Sequence, residues 1–292
     1  MNEATCDLHP VFVLCSPRCG STLLRVMLAG HPGLFAPPEL HLLPYRTMAE
    51  RANTPGMSEF MGLGLVKALT VLSDTSMKTA QKELRAWERD DRSIPDVYHA
   101  LTTAAAPRML VDKTPTYAEH LEHLERAGAW FPKARFIHLI RHPLAVMDSI
   151  MRLNRKPMVR DFVFRGEVDS WRAAETIWVR HNRNSARFLA TVAPDRQTTI
   201  RYEDLVTRPE AMMRAVCEML GLTFDRGMLD PYQPGRMTEG IAIGDVNFRN
   251  HKGVDPALAE AWRDVRLPHP LSDEAQALAA AYDYPVPVAT AQ

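Results

Sequence analysis

The chain of 292 residues has only four cysteines, no excess of charge of either sign and no long apolar run. Cys6, Cys15, Cys19 and Cys217 are too few and too scattered for a disulfide framework or an all-cysteine zinc site, and CxxC is absent. Cys15 and Cys19 read as the end of an apolar strand and a loop residue rather than as a redox pair. The 35 Lys and Arg offset 35 Asp and Glu, which argues against a surface built to coat nucleic acid, because such binding rests on many contacts to phosphates. A local basic pocket is compatible with that balance. No segment approaches the ~20 apolar residues of a membrane span. The opening MNEATCDLHP has neither a basic n-region nor an apolar h-region. The expectation is therefore a cytoplasmic protein in a reducing setting, with no nucleic-acid and no membrane partner.

Two signatures are also missing. Without GxSxG the common α/β-hydrolase reading falls. Without GxxxxGK[ST] an ordinary ATPase or GTPase is demoted. What is present suits one large α/β domain over 1–292, at about 150 residues per domain as a prior and with enough chain to bury ~75% of its unfolded surface.

Val11 to Cys15 (VFVLC) is a wholly apolar run ending at a Ser-Pro turn, as in a strand buried on both faces. Leu23, Leu24, Met27 and Leu28 follow at helical spacing. Similar runs recur at Met109 to Val111, Phe136 to Ile140 and Thr198 to Tyr202, separated by helical stretches, which predicts a parallel sheet flanked by helices. From about 40 to 106 the chain reads as a helical insertion, broken near Pro55-Gly56 and Ser93-Ile94-Pro95, that caps the sheet edge. Asp169 to Val192 predicts one long helix in which Trp171 and Trp178 share a packed face. After Tyr232 a loop is expected to fold over a ligand, and about 285–292 reads as a loose tail.

The chemistry concentrates in SPRCGSTLLRVML, between the first strand and the first helix. Gly20 lets the backbone approach a ligand, the helix start offers free N–H groups, and Ser21, Thr22 and Arg18 complete a cradle for an anion. A lone GST also serves as an ordinary helix cap. Two further elements favour the cradle. Arg141 ends the FIHLI strand with Ser149 about two turns into the next helix, a pair able to grip a second phosphate at the crevice of an open sheet. Tyr202, in IRYEDL, places an aromatic face beside the same crevice for a purine base.

The order PRCGSTLL, then RHPxxxxxS, then RYEDLVTRPE resembles the sulfotransferases that use 3′-phosphoadenosine 5′-phosphosulfate, over roughly Val11 to Leu222. Arg18 in place of that family's usual Lys, followed by LLRVMLAGHPGLFAPPELHLLP, is most similar to tyrosylprotein sulfotransferases and to bacterial sulfotransferases, including polyketide assembly-line domains that sulfate a β-hydroxyacyl chain. DKTPTYA is similar to a Lys-bearing segment of carbohydrate sulfotransferases. The resemblance implies a P-loop-like α/β fold. It implies Arg18, Gly20, Ser21 and Thr22 for the 5′-phosphosulfate, Arg141 and Ser149 for the 3′-phosphate, and Tyr202 for adenine. His251-Lys252-Gly253 resembles a closing RKG triplet with His in place of Arg, so Lys252 and Gly253 carry over more directly.

Sulfuryl transfer resembles phosphoryl transfer in its loose, in-line transition state, so positioning and charge neutralisation suffice. The sulfuryl group carries less negative charge, so no metal is expected. Arg18 and the helix start would neutralise the leaving phosphate, and a base must take the proton of the acceptor alcohol. Glu39, held by Pro37-Pro38 and matching the base of the tyrosylprotein relatives, ranks first and His251 second; His41 is a third candidate. Glu203 could orient a histidine or be structural, and Lys113 could steady the sulfonate or be a solvated strand-end lysine. His120 with His123, and His138 with His142, lack the carboxylate or Cys that would complete a metal site. The preferred acceptor is a β-hydroxyacyl chain on an acyl carrier protein. A carbohydrate, phenol or natural-product hydroxyl is the alternative within the class, and a P-loop kinase or a non-catalytic nucleotide-binding module lies outside it.

Overall fold

The computed structural model describes residues 9–54, 59–154, 170–234, 236 and 253–286. Among them, Val11–Cys15 (β1), Leu34–Phe35 (β2), Met109–Lys113 (β3), Arg135–Ile140 (β4) and Gln197–Arg201 (β5) form an all-parallel sheet in the order β2-β3-β1-β4-β5. The central strand is buried on both faces. Val11, Val13 and Cys15 enter one core and Phe12 and Leu14 the other, as the two-residue period of a strand requires. The connection after β1 runs to β2 on one side of the sheet and the connection after β4 runs to β5 on the other, so the direction reverses between the adjacent strands β1 and β4 and leaves a crevice at their carboxyl ends.

On the first face, Ser21–Leu28 (α1), Pro143–Asn154 (α7) and Pro209–Leu220 (α10) pack Leu24, Met27, Val146, Met213 and Val216 around Val13 and Ile137. The helix Ser170–Leu189 (α8) serves both cores, with Trp178 in one and Phe188 in the other. Trp171 packs at the margin of the first.

The insertion comprises Met48–Ala52 (α2), Glu59–Leu72 (α3), Met77–Arg89 (α4) and Ile94–Ala105 (α5). Thr47, Ser76 and Ser93 cap α2, α4 and α5 by accepting from the amides of Glu50, Thr79 and Asp96. The break expected at Ser93-Ile94-Pro95 is thus a capped start, while Pro55-Gly56 lies outside the described residues. The insertion does more than cap an edge. It joins Leu121–Trp130 (α6) over a whole face, with Tyr98 and Leu101 of α5 in the core that holds Phe12 and Phe136; Phe12 stacks on Phe136 at 5.7 Å.

Two further boundaries differ from expectation. Tyr202 does not end β5 but opens a short helix, Tyr202–Thr207 (α9). The tail is anchored further than the sequence suggests, because the Pro285 carbonyl accepts from His142 Nε2 at 2.8 Å and Val286 packs on the core; 287–292 lie outside the described residues. No helix among the described residues is long and apolar enough to cross a membrane.

Candidate active site

The loop after β1 turns twice through left-handed backbone, at Arg18 (φ 65) and Gly20 (φ 90). Gly20 is needed for a second reason: a Cβ there would stand 2.2 Å from the Tyr202 ring. Gly20 is the N-cap of α1 and no side chain caps that end, so Ser21 and Thr22 are the first helical residues rather than caps. The first amides of α1 therefore face the crevice with the positive end of the helix dipole.

Arg18 and Ser149, taken from separate motifs, meet directly: Arg18 Nε donates to Ser149 Oγ at 3.1 Å. Arg141 donates to the Arg18 carbonyl at 3.4 Å and lies over the Tyr202 ring at 4.3 Å. Its own carbonyl accepts from Trp178 Nε1 at 2.9 Å, which fixes the strand end. The buried Nε of Arg141 has no hydrogen-bond partner among the described residues. Tyr202 is itself buried, its ring wedged between Gly20 and Arg141.

The cysteines of this loop report the local field. Burial pushes both thiols up, and for Cys15 it prevails. At Cys19 a hydrogen bond from Cys15, the Ser21 amide and the charges of Lys113 and Arg141 outweigh it and bring the thiol down. Both cations thus act on the centre of the loop.

On the β3 side, Lys113 is not the solvated strand-end residue it could have been. Its side chain is 4% exposed and its ammonium pairs with Glu39 Oε1. His41 Nε2 lies 3.3 Å from Glu39 Oε2. Burial alone would raise the Glu39 carboxyl, but Lys113 and His41 outweigh it and hold the group well below the usual carboxylate range. With 32% of its side chain exposed, Glu39 is the most solvent-accessible member of this cluster.

The cluster rests on residues that pattern reading passed over. Asp112 is buried and accepts from Tyr98 Oη at 2.5 Å, Tyr117 Oη at 2.8 Å and Thr114 Oγ1 at 2.8 Å. Burial nonetheless raises its carboxyl. Thr114 and Tyr117 in turn accept the amides of Leu40 (3.2 Å) and Leu42 (2.8 Å), which fixes the backbone on the far side of Glu39. The polar run DKTPTY carried a signal for this, four hydrogen-bonding side chains around one lysine, but Tyr98 lies outside it, on the preceding helix α5.

Glu203 is structural. It accepts from the His142 amide at 3.0 Å and from Tyr284 Oη at 2.8 Å. His142 stacks on Trp262 at 4.1 Å, so the chain beyond 253 is pinned beside Arg141. Gly253 faces open space, while His251 and Lys252 lie outside the described residues. His138 sits in the core, bonded to Asn182 at 3.1 Å.

A model of the sulfotransferase family matches residues 10–226. Protein-tyrosine sulfotransferase 1 of Danio rerio is 23% identical over 259 residues, covering 87% of this chain and 65% of that protein. Nodulation protein NoeE of Sinorhizobium fredii is 27% identical over 286 residues, covering 88% and 61%. The chain thus spans less than two thirds of the length of these relatives. Among solved structures, the sulfotransferase domain from the curacin biosynthetic pathway superposes with a TM-score of 0.89 at 41% identity, over 96% of this chain and 99% of that one. The sulfotransferase domain of the Synechococcus PCC 7002 olefin synthase gives 0.88 at 40% identity, over 96% of each.

Proposed function

Because the chain belongs to the sulfotransferase family, we propose that it transfers a sulfuryl group from 3′-phosphoadenosine 5′-phosphosulfate to an alcohol, preferentially the β-hydroxyl of an acyl chain on an acyl carrier protein. The observation that carries the reading is the convergence of Arg18, Ser149 and Arg141 on an uncapped helix start, one strand away from the Lys113–Glu39–His41 cluster. The Arg141 Nε, unpartnered among the described residues, and the α1 start at Gly20, which makes no side-chain cap bond, fit a ligand with two phosphate groups. The acceptor is supported by the likeness to two domains from the curacin pathway and an olefin synthase.

In this reading Arg18, Gly20, Ser21 and Thr22 hold the 5′-phosphosulfate, Arg141 and Ser149 the 3′-phosphate, and Tyr202 stands by the adenine. By the same resemblance, Lys252 and Gly253 are assigned to the 3′-phosphate. The donor supplies an activated sulfur–oxygen bond. As the acceptor oxygen bonds to sulfur, that bond breaks and its electron pair stays on the 5′-phosphate, where Arg18 and the α1 dipole neutralise it. The acceptor proton goes to Glu39, with His251 as the second candidate. Paired to Lys113, Glu39 is a weak base. When the ammonium turns toward the sulfonate the carboxylate regains basicity, so one lysine serves both the transferring group and the base. Incubation of the purified chain with donor and β-hydroxyacyl carrier protein tests the reading through formation of the sulfate ester.

A further inference from the structure

The segment that carries Glu39 is held from two sides by residues outside every motif. Pro37 and Pro38 have no N–H to donate, so packing must fix the approach to Glu39. Helix α3 crosses directly over it. A Cβ on Gly64 would stand 1.9 Å from the Glu39 carbonyl oxygen and 2.8 Å from its carbonyl carbon, backbone atoms that cannot swing aside. Gly62 on the same helix would meet nothing nearer than Leu84 Cδ2 at 4.0 Å. Glycine weakens a helix interior relative to alanine, and at Gly64 the close crossing accounts for it.

On the other side, Arg51 is 1% exposed and donates Nε to the His41 carbonyl at 3.0 Å. His41 has φ 51, left-handed backbone that a residue with a Cβ adopts only at a cost. The guanidinium pins that turn, which keeps the His41 imidazole beside Glu39.

We propose that Gly64 and Arg51 are positioning residues for Glu39: together they clamp its peptide so that the carboxylate stands at the crevice at the height of the acceptor hydroxyl, without touching the donor. The proposal rests on the reading of Glu39 as the base. Gly64→Ala and Arg51→Gln, each alone and combined with Glu39→Gln, test it in the full chain by turnover and by calorimetric affinity for adenosine 3′,5′-bisphosphate. Each single change is expected to lower kcat roughly 10- to 100-fold, the scale of a base misplaced by about 1 Å. Bisphosphate affinity stays within about twofold, and neither change lowers the residual kcat of Glu39→Gln further. Gly62→Ala, the control on the same helix, keeps full turnover, and Arg51→Lys recovers part of the loss. Additive losses in the Glu39→Gln background, or bisphosphate affinity falling in step with kcat, would overturn the clamp. Should Gly64→Ala fail to fold, the Arg51 pair decides by the same cycle. Full activity of Glu39→Gln alone would instead remove the base assignment on which the clamp depends.

Discussion

The ammonium of Lys113 meets the carboxylate of Glu39 across 74 residues of sequence, at the carboxyl end of the strand beside β1 and the loop that follows it. The pair couples the electropositive crevice to the group proposed as base, so its removal has a signed consequence. In Lys113→Met, burial of Glu39 is no longer offset by the lysine, and the carboxyl titrates higher. Since the base acts deprotonated, the acidic limb of the kcat/KM profile is expected to move to higher pH, with kcat at neutral pH down by about tenfold or more. An unmoved acidic limb contradicts the coupling.

Arg18 and Arg141 are expected to carry donor affinity. Arg18→Ala and Arg141→Ala should each weaken adenosine 3′,5′-bisphosphate binding roughly 10- to 100-fold by calorimetry, the range of one or two charge-assisted hydrogen bonds. Ser149→Ala, which removes a neutral partner of Arg18, should cost less than about tenfold. Unchanged binding in both arginine variants would remove the site assignment.

Asp112 holds the Glu39 loop through Thr114 and Tyr117. Asp112→Ala leaves the buried hydroxyls of Tyr98 and Tyr117 without their acceptor. It should destabilise the fold by roughly 3 kcal/mol, read as a Tm fall of about 6–12 °C. Asp112→Asn, which keeps an acceptor oxygen, should lose less.

Buried histidines set an acid limit. Burial lowers His138, His142 and His181 from 6.5 to about 4. The unfolded chain therefore binds their protons first as pH falls. The stability they contribute is complete above about pH 6.5 and is lost between 6.5 and 4. A thermal scan at pH 4.5 should show a Tm more than about 5 °C below that at pH 7, with His138→Gln reducing the difference. A flat Tm across that window contradicts the argument.

The parts of the molecule legible in the sequence were those written locally. VFVLC and FIHLI became β1 and β4 because a strand buried on both faces needs a continuous apolar run, and the spacing of Arg141 and Ser149 placed both on the crevice. The sharp turn from β1 into α1 was visible because a strand, a glycine and a helix start follow one another without interruption. The Asp112 network was not legible, because it joins Tyr98 of α5 to a strand end through a register that single-sequence patterns do not encode. Glu203 could be read either as a partner for a histidine or as structural; it serves the His142 amide and Tyr284, a choice made by how the chain beyond 253 returns to the sheet.

The central claim is that this crevice moves a sulfuryl group to an acyl-chain hydroxyl with Glu39 taking the proton. The most direct measurement is the mass spectrum of a β-hydroxyacyl carrier protein after incubation with the chain and 3′-phosphoadenosine 5′-phosphosulfate in excess chelator, alongside Glu39→Gln. The account predicts one sulfuryl group added per acyl chain and an equal amount of adenosine 3′,5′-bisphosphate released, with the rate reduced roughly 100-fold or more in Glu39→Gln at unchanged bisphosphate affinity. Bisphosphate binding without transfer, transfer only in the presence of a metal ion, or an undiminished Glu39→Gln enzyme would contradict it.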